Sequence, residues 1–295
     1  MAKRRTIGRR ARRRMPFNQR LMAVLIFIVV GFIVWLNYQD TAVTVPQGEI
    51  WVHFIDVGQG DSILVQSADN AVLIDAGPTA AGQVIINYLV GLGIETLDYV
   101  VATHPHLDHI GGMPMVLDRF EVREMWMPDV AHDTDAFERL LDTIERNNLE
   151  ITTIQAGANL SAGIIQMNAV APVRSGYGNL NDYSIVLRMQ HGQTSFLFTG
   201  DAETISENEM VASGVNLRST VLNAGHHGSR TSSTDAFLDA VDPYFAVISA
   251  GADNQFNHPH TEVLERFYQR GIDVFRTDEM GTIVFFTDGV DIYFY

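Results

Sequence analysis

Three histidines and an aspartate crowd into six residues at His104-Pro105-His106-Leu107-Asp108-His109, directly after the apolar run Tyr99-Val100-Val101-Ala102. Imidazole and carboxylate are donors that zinc, manganese and iron accept, and four of them this close can serve two metal ions rather than one. A polar turn that happens to be His-rich is the bland alternative, but H-x-H-x-D-H in a strand-end loop is not a common chance pattern. Two divalent cations roughly 3.5–4 Å apart would lower the pKa of a bridging water and clamp an in-line displacement. Metal-bound hydroxide could then attack phosphorus or a carbonyl carbon with no serine or cysteine nucleophile.

Other candidate donors also stand where apolar strands end. Ala71–Asp75 runs into Ala76-Gly77-Pro78, Ser195–Thr199 into Gly200-Asp201, and Thr220–Asn223 into Gly225-His226-His227-Gly228-Ser229. Ligands gathered in loops at strand ends are what a site on a rigid α/β scaffold needs. Between them the periodicity predicts strands over Ile50–Val57, Ser62–Gln66, Asp98–Thr103, Val122–Met127, Ile151–Ile154, Ile164–Val170, Ser184–Gln190 and Tyr244–Ser249, and three more over 273–294. Helices are predicted after Thr79, over Met113–Phe120, Thr134–Asn147, Glu203–Ser213, Thr234–Val241 and Pro259–Arg270. Gly58-Gln59-Gly60-Asp61 and His191-Gly192 read as tight turns; the first of these loops could line the site, but a turn explains its glycines fully.

The net charge of −15 joins two opposite parts. Nine of the 20 basic residues lie in residues 1–20, which hold no acid; the other 11, all Arg, face 35 acidic residues, a formal charge near −24. Such an acidic surface argues against broad electrostatic gripping of nucleic acid, which needs Lys and Arg. Residues 21–38 (Leu21 to Tyr38) are apolar apart from Asn37 and Tyr38, just long enough to span a hydrocarbon layer of about 30 Å. The expectation is therefore a basic cytoplasmic tail (1–20), a transmembrane anchor (21–38), a linker (39–49) and an outer domain (50–295) outside the cytoplasm. A cleaved signal peptide competes with the anchor, although no small-residue cleavage site follows. The absence of cysteine excludes disulfides, thiolate metal sites and Cys nucleophiles.

With these clusters in this order, residues 50–295 resemble the metallo-β-lactamase superfamily. Phe54-Ile55-Asp56-Val57-Gly58-Gln59-Gly60-Asp61-Ser62, Asn181-Asp182-Tyr183-Ser184 and Gly225-His226-His227-Gly228-Ser229 narrow this to the hydrolase domain of ComEC-type competence proteins. The resemblance implies an α/β fold, a four-layer αββα sandwich, with two divalent ions, Zn²⁺ or Mn²⁺, at one edge. It implies His104 and His106 on the first metal, Asp108, His109 and His226 on the second, and Asp201 bridging both. Asp75 would orient the ligands from outside.

Most superfamily members carry a further histidine for the first metal. Here only His132 and His191 fall in the interval, and both read as solvated-loop residues. Asn181 or Ser184 is then the expected weak substitute, and His227 and Ser229 are further candidate metal or substrate contacts. His258, at a predicted helix start, is a candidate phosphate contact or proton donor. Asp108 and Asp201 complete the expected catalytic set. Arg174, Arg188 and Arg230 are candidate phosphate partners near the predicted site loops.

Three readings follow. The first is a membrane-anchored phosphodiesterase or nuclease acting on extracellular DNA. The second keeps the hydrolase but gives it a cell-envelope phosphoester, as in phosphorylcholine esterases, or a lactone or lactam. The third is a non-catalytic tethered binding domain.

Overall fold

The computed structural model describes residues 44–295. The basic tail, the expected membrane span and the first part of the linker lie outside the described residues. Among the described residues, no helix is long and apolar enough to cross a membrane.

Two sheets form the body. The first contains β1 (Ile50–Phe54), β2 (Ile63–Gln66), β3 (Ala71–Ile74), β4 (Thr96–Val101), β5 (Glu121–Pro128) and β6 (Ile151–Ile154). The second contains β7 (Asn159–Ala162), β8 (Ile165–Ala171), β9 (Val186–His191), β10 (Thr194–Phe198), β11 (Val221–Asn223), β12 (Phe245–Ile248) and β13 (Asp273–Arg276). The C-terminal β14 (Ile283–Thr287) and β15 (Ile292–Phe294) return to the first sheet, whose order is β15-β14-β1-β2-β3-β4-β5-β6. The second sheet runs β13-β12-β11-β10-β9-β8-β7. Strand β7, absent from the sequence expectation, pairs antiparallel with β8. Its four residues, Asn-Leu-Ser-Ala, are too short and too polar to announce a strand.

Inward-facing residues of both sheets, among them Ile50, Phe54, Val101, Phe196, Phe198 and Phe285, form one buried seam. A second seam joins the first sheet to the helices Gly82–Gly91 (α1), Met113–Arg119 (α3) and Asp135–Arg146 (α4), with Leu107–Ile110 as the short α2 before them. The third joins the second sheet to Thr204–Ser213 (α5), Asp235–Val241 (α6) and Thr261–Gln269 (α7). The protein is thus a two-sheet α/β sandwich with helices outside each sheet. Strand runs such as Ala71–Ile74, buried at every position, read as continuously apolar because both faces of the sheet are covered.

Helix α4 matters for the site. The Thr134 hydroxyl caps it by accepting the Phe137 N–H at 3.4 Å, and Asp135 and Glu138 occupy its first turn, where the helix dipole favours negative charge. Phe137, Leu140 and Ile144 bury one face, which leaves Arg139 on the exposed side.

Strand direction decides where chemistry collects. β3–β4–β5–β6 pair in parallel, as do β10–β11–β12–β13. Both parallel sets open their C-terminal ends at one edge of the sandwich, the usual place for a ligand site in such sheets.

Candidate metal centre

Asp75 follows β3, His104–His109 follow β4, Asp201 follows β10, and His226 and His227 follow β11. Their donor atoms converge in groups whose atoms lie within 4.8 Å of one another, among them His104 with His106 and Asp201, and Asp108 with His109 and His227; Asp61 joins two more, with Asp75 and His109 and with Asp201 and His227. Asp201 faces the first two groups. Its Oδ2 is 3.6 Å from His104 Nε2 and its Oδ1 is 3.2 Å from His109 Nε2.

Hydrogen bonds behind the rings aim the lone pairs inward. Asp75 Oδ2 accepts from His109 Nδ1 at 2.7 Å and from the Thr103 hydroxyl at 2.7 Å, while Oδ1 accepts the Thr103 N–H at 2.8 Å. The Thr103 oxygen, its proton already donated, can accept from His104 Nδ1 at 3.2 Å. The Ser249 carbonyl accepts from His227 Nδ1 at 2.9 Å. These partners favour a proton on Nδ1 of each ring and turn Nε2 of His109 and His227 toward the centre, while His104 Nε2 lies 3.0 Å from His106 Nδ1. His109 Nε2, His227 Nε2 and Asp201 Oδ1 are buried and, among the described residues, have no hydrogen-bond partner. Buried lone pairs left facing one another are costly unless a cation joins them. The nitrogen and oxygen donor set fits a divalent metal.

His227, rather than the expected His226, gathers with Asp108 and His109. His226 Nε2 instead faces Asp201 Oδ2 at 3.7 Å, the oxygen that also faces His104. Both histidines adopt left-handed backbone, with φ of 49° and 54°. Such residues cost of order 1–3 kcal/mol each and persist only when their surroundings hold them. The His226 N–H donates to the Gly200 carbonyl at 3.1 Å, and the Ser229 N–H to the His226 carbonyl at 2.8 Å. Glu203 Oε1 accepts from His226 Nδ1, Asn181 Nδ2 and the Thr231 hydroxyl at 2.9, 2.9 and 3.0 Å.

Three other expected contacts sit differently. Ser184 Oγ accepts the Asp201 N–H at 3.1 Å and lies 3.3 Å from His104 Nδ1, so it supports the group from behind. Asn181 does line the cleft, and its Oδ1 is buried without a partner among the described residues. Ser229 Oγ is buried against the Thr231 hydroxyl at 2.9 Å, away from the cleft. His258 is buried beside the centre, and its Nδ1 has no hydrogen-bond partner among the described residues. Its ring stacks on Phe256 and stands edge-on to His226, with centroids 5.7 and 5.3 Å apart, and its backbone is pinned by Asn254.

Burial alone would raise Asp201, yet His109, His227 and His226 hold its carboxyl well below the usual range. Burial would lower His109, but Asp201 and Asp75 lift it well above its ordinary value. The same opposition of burial to Asp201 and Asp108 brings His227 up to about 9. His104 goes the other way: burial and then His109 push it well below the ordinary imidazole value. The site thus carries strong local fields, as functional sites do.

Four contributors escaped the sequence reading. Asp61, read as a turn former, is buried 3.9 Å from His227 Nδ1 with neither carboxylate oxygen hydrogen-bonded among the described residues. Burial pushes it up to about 6. Gly60 lets this loop pass close, since a Cβ there would run into the Asp108 carbonyl oxygen. Glu203 is the second. His132, read as a loop residue, stands beside His106 with ring centroids 5.6 Å apart and Nδ1 3.2 Å from the Pro105 carbonyl. Arg139 is the fourth. The only signal for it is helical spacing, one turn on from Asp135 and Ala136.

A cleft of about 770 Å³ opens over the centre, with His106, Asp108, Asn181, Asp201 and His226 among its lining and His132, Thr134 and Arg139 along one side. The Arg139 guanidinium has no hydrogen bond or ion pair among the described residues. The arginines expected near the site are engaged elsewhere: Arg174 with Glu209, Arg230 with Glu262, and Arg188 with the Arg218 carbonyl.

Residues 55–251 match the metallo-β-lactamase superfamily, and the chain belongs to it. Members of that superfamily are typically metal-dependent hydrolases. Within it, the chain is homologous to competence proteins. It is 33% identical over 250 residues to ComE operon protein 3 of Bacillus subtilis, covering 79% of this chain and 32% of that protein. It is also 33% identical over 279 residues to competence protein ComA of Neisseria gonorrhoeae, covering 88% and 35%. The chain therefore spans about a third of the length of these relatives. Among solved structures it is similar to the metallo-β-lactamase fold protein YhfI from Bacillus subtilis, with a TM-score of 0.54 and 14% identity over 81% of this chain and 100% of that one.

Proposed function

We propose that this domain is a metal-dependent phosphodiesterase that cleaves DNA outside the cytoplasmic membrane, tethered by residues 21–38. The observation that carries the reading is the pair of donor groups sharing Asp201 on the floor of an open cleft. His104, His106 and Asp201 would hold one divalent ion, zinc or manganese, with Asn181 and His226 on its open side. Asp108, His109, His227 and Asp201 would hold the other. Such a pair supplies Lewis acidity and a nucleophile from water at neutral pH.

The protein's own part is positioning. Asp75, Ser249 and Thr103 fix ring orientation, and Glu203 holds His226 and Asn181 at the cleft. Arg139 offers a free planar donor to a phosphate oxygen, a geometry guanidinium suits better than ammonium. With the rest of the domain so acidic, the metals and Arg139 must carry the attraction for phosphate.

The test is cleavage of plasmid and single-stranded DNA after chelation and after return of Mn²⁺ or Zn²⁺. Expected is loss with EDTA and recovery with metal. Hydrolysis of bis-p-nitrophenyl phosphate with DNA left intact would move the reading to a cell-envelope phosphoester.

A further inference from the structure

Next to the main cleft lies a second one of about 470 Å³, which shares Leu107, Asp108 and Phe256 with it and is otherwise lined by Gln59, Pro78, Asn254 and Gln255. Leu107 and Phe256 are large apolar side chains left 51% and 48% exposed at the boundary between the two. Gln59 Oε1 accepts the Gly251 N–H at 3.2 Å, and its Nε2 is buried with no partner among the described residues, so Gln59 braces the cleft wall. Asn254 spends its amide on the Gly251 and His258 carbonyls and on the Phe256 and His258 N–H groups, and so braces the loop that carries Phe256.

We propose that this second cleft is a nucleobase subsite. A flat ring would stack on Phe256 beside Leu107 and Pro78, with its polar edge toward the exposed Gln255 amide. The proposal rests on the phosphodiesterase reading and adds how the strand lies. The scissile phosphate would sit over Asp108 and Asp201, one flanking nucleotide toward Arg139 and the other in the second cleft. Both clefts are open, so the chain can continue past the centre on either side, as cleavage within a strand requires. Stacking on an aromatic ring tolerates any base and contributes about 1–3 kcal/mol per base.

The experiment uses the full chain loaded with Mn²⁺ and two oligonucleotides, one with normal bases and one with a single abasic residue beside the only cleavable linkage. The ratio of kcat/KM for the two should favour the base-bearing strand. Phe256→Ala should shrink that ratio by about 5- to 100-fold, mainly through KM, and Phe256→Trp should preserve it. A non-hydrolysable strand carrying 2-aminopurine should show fluorescence quenching that Phe256→Ala abolishes. DNA cleavage with an unchanged ratio and no Phe256-dependent quenching would overturn the subsite and leave the phosphodiesterase reading standing. Quenching lost in Phe256→Ala without any phosphodiester cleavage by the wild type would keep the subsite and remove that reading.

Discussion

The two donor groups differ in how the fold supports them. Asp108, His109 and His227 are backed by Asp75, Asp61 and the Ser249 carbonyl, and both rings are fully enclosed. Of His104 and His106, only His106 lines the open cleft, beside Asn181 and the partly exposed His226, while His104 is as enclosed as His109. A ligand set with every ring fixed from behind holds its metal tightly, because outer partners set ring orientation and basicity. One with an open side exchanges water and substrate more readily, as catalytic metal sites must. On the proposed two-metal reading, retention falls to the enclosed rings of His109 and His227 and substrate access to the side lined by His106.

The strongest way to break this contrast is to remove what the groups share. Asp201→Ala should cut phosphodiesterase activity by on the order of 10³-fold and lower the metal content measured by plasma emission. Retained activity would mean that Asp201 serves neither group. Next in size is the difference between adjacent histidines. His227→Ala should weaken the more tightly held metal about 100-fold in a chelator competition, whereas His226→Ala should spare that metal and affect the weaker one. The reverse order would return the second site to His226.

Asp61→Asn sharpens the same side of the comparison, since it keeps the shape and deletes the charge. Metal affinity of the tight site should fall about 10-fold, and an unchanged dissociation constant would demote Asp61 to turn chemistry. Arg139→Ala belongs to the open side and should be the mildest. KM for DNA should rise about 10-fold with metal affinity untouched, and the salt dependence of binding should flatten by about one counterion. An unchanged salt slope would remove Arg139 from the phosphate path.

Much of the scaffold could be read from periodicity. Predicted strands such as Ala71–Asp75 and Tyr244–Ser249 lie within about a residue of β3 and β12, because apolar runs covered on both faces carry a clear signal. His104 to His109 and Asp201 also stood out, as polar residues following buried strands. Asp61 did not, because its glycine neighbours explain a turn equally well, and its burial depends on packing against His227 and Asp108. His132 and Arg139 were missed because nothing local says that the segment after β5 folds back over His106.

The sequence alone determined the donor types, their strand-end positions and the family that follows from them, since these depend on residue identity and spacing. Only the tertiary structure decided which of His226 and His227 meets Asp108, that Ser184 works from behind and that His258 packs against His226 and Phe256. Neighbours of identical chemistry are told apart by backbone dihedrals and by which buried acceptor takes each Nδ1 proton. The Ser249 carbonyl that takes the His227 proton and the Glu203 carboxylate that takes the His226 proton are 22 and 23 residues away from them in the chain, and only folding brings them near.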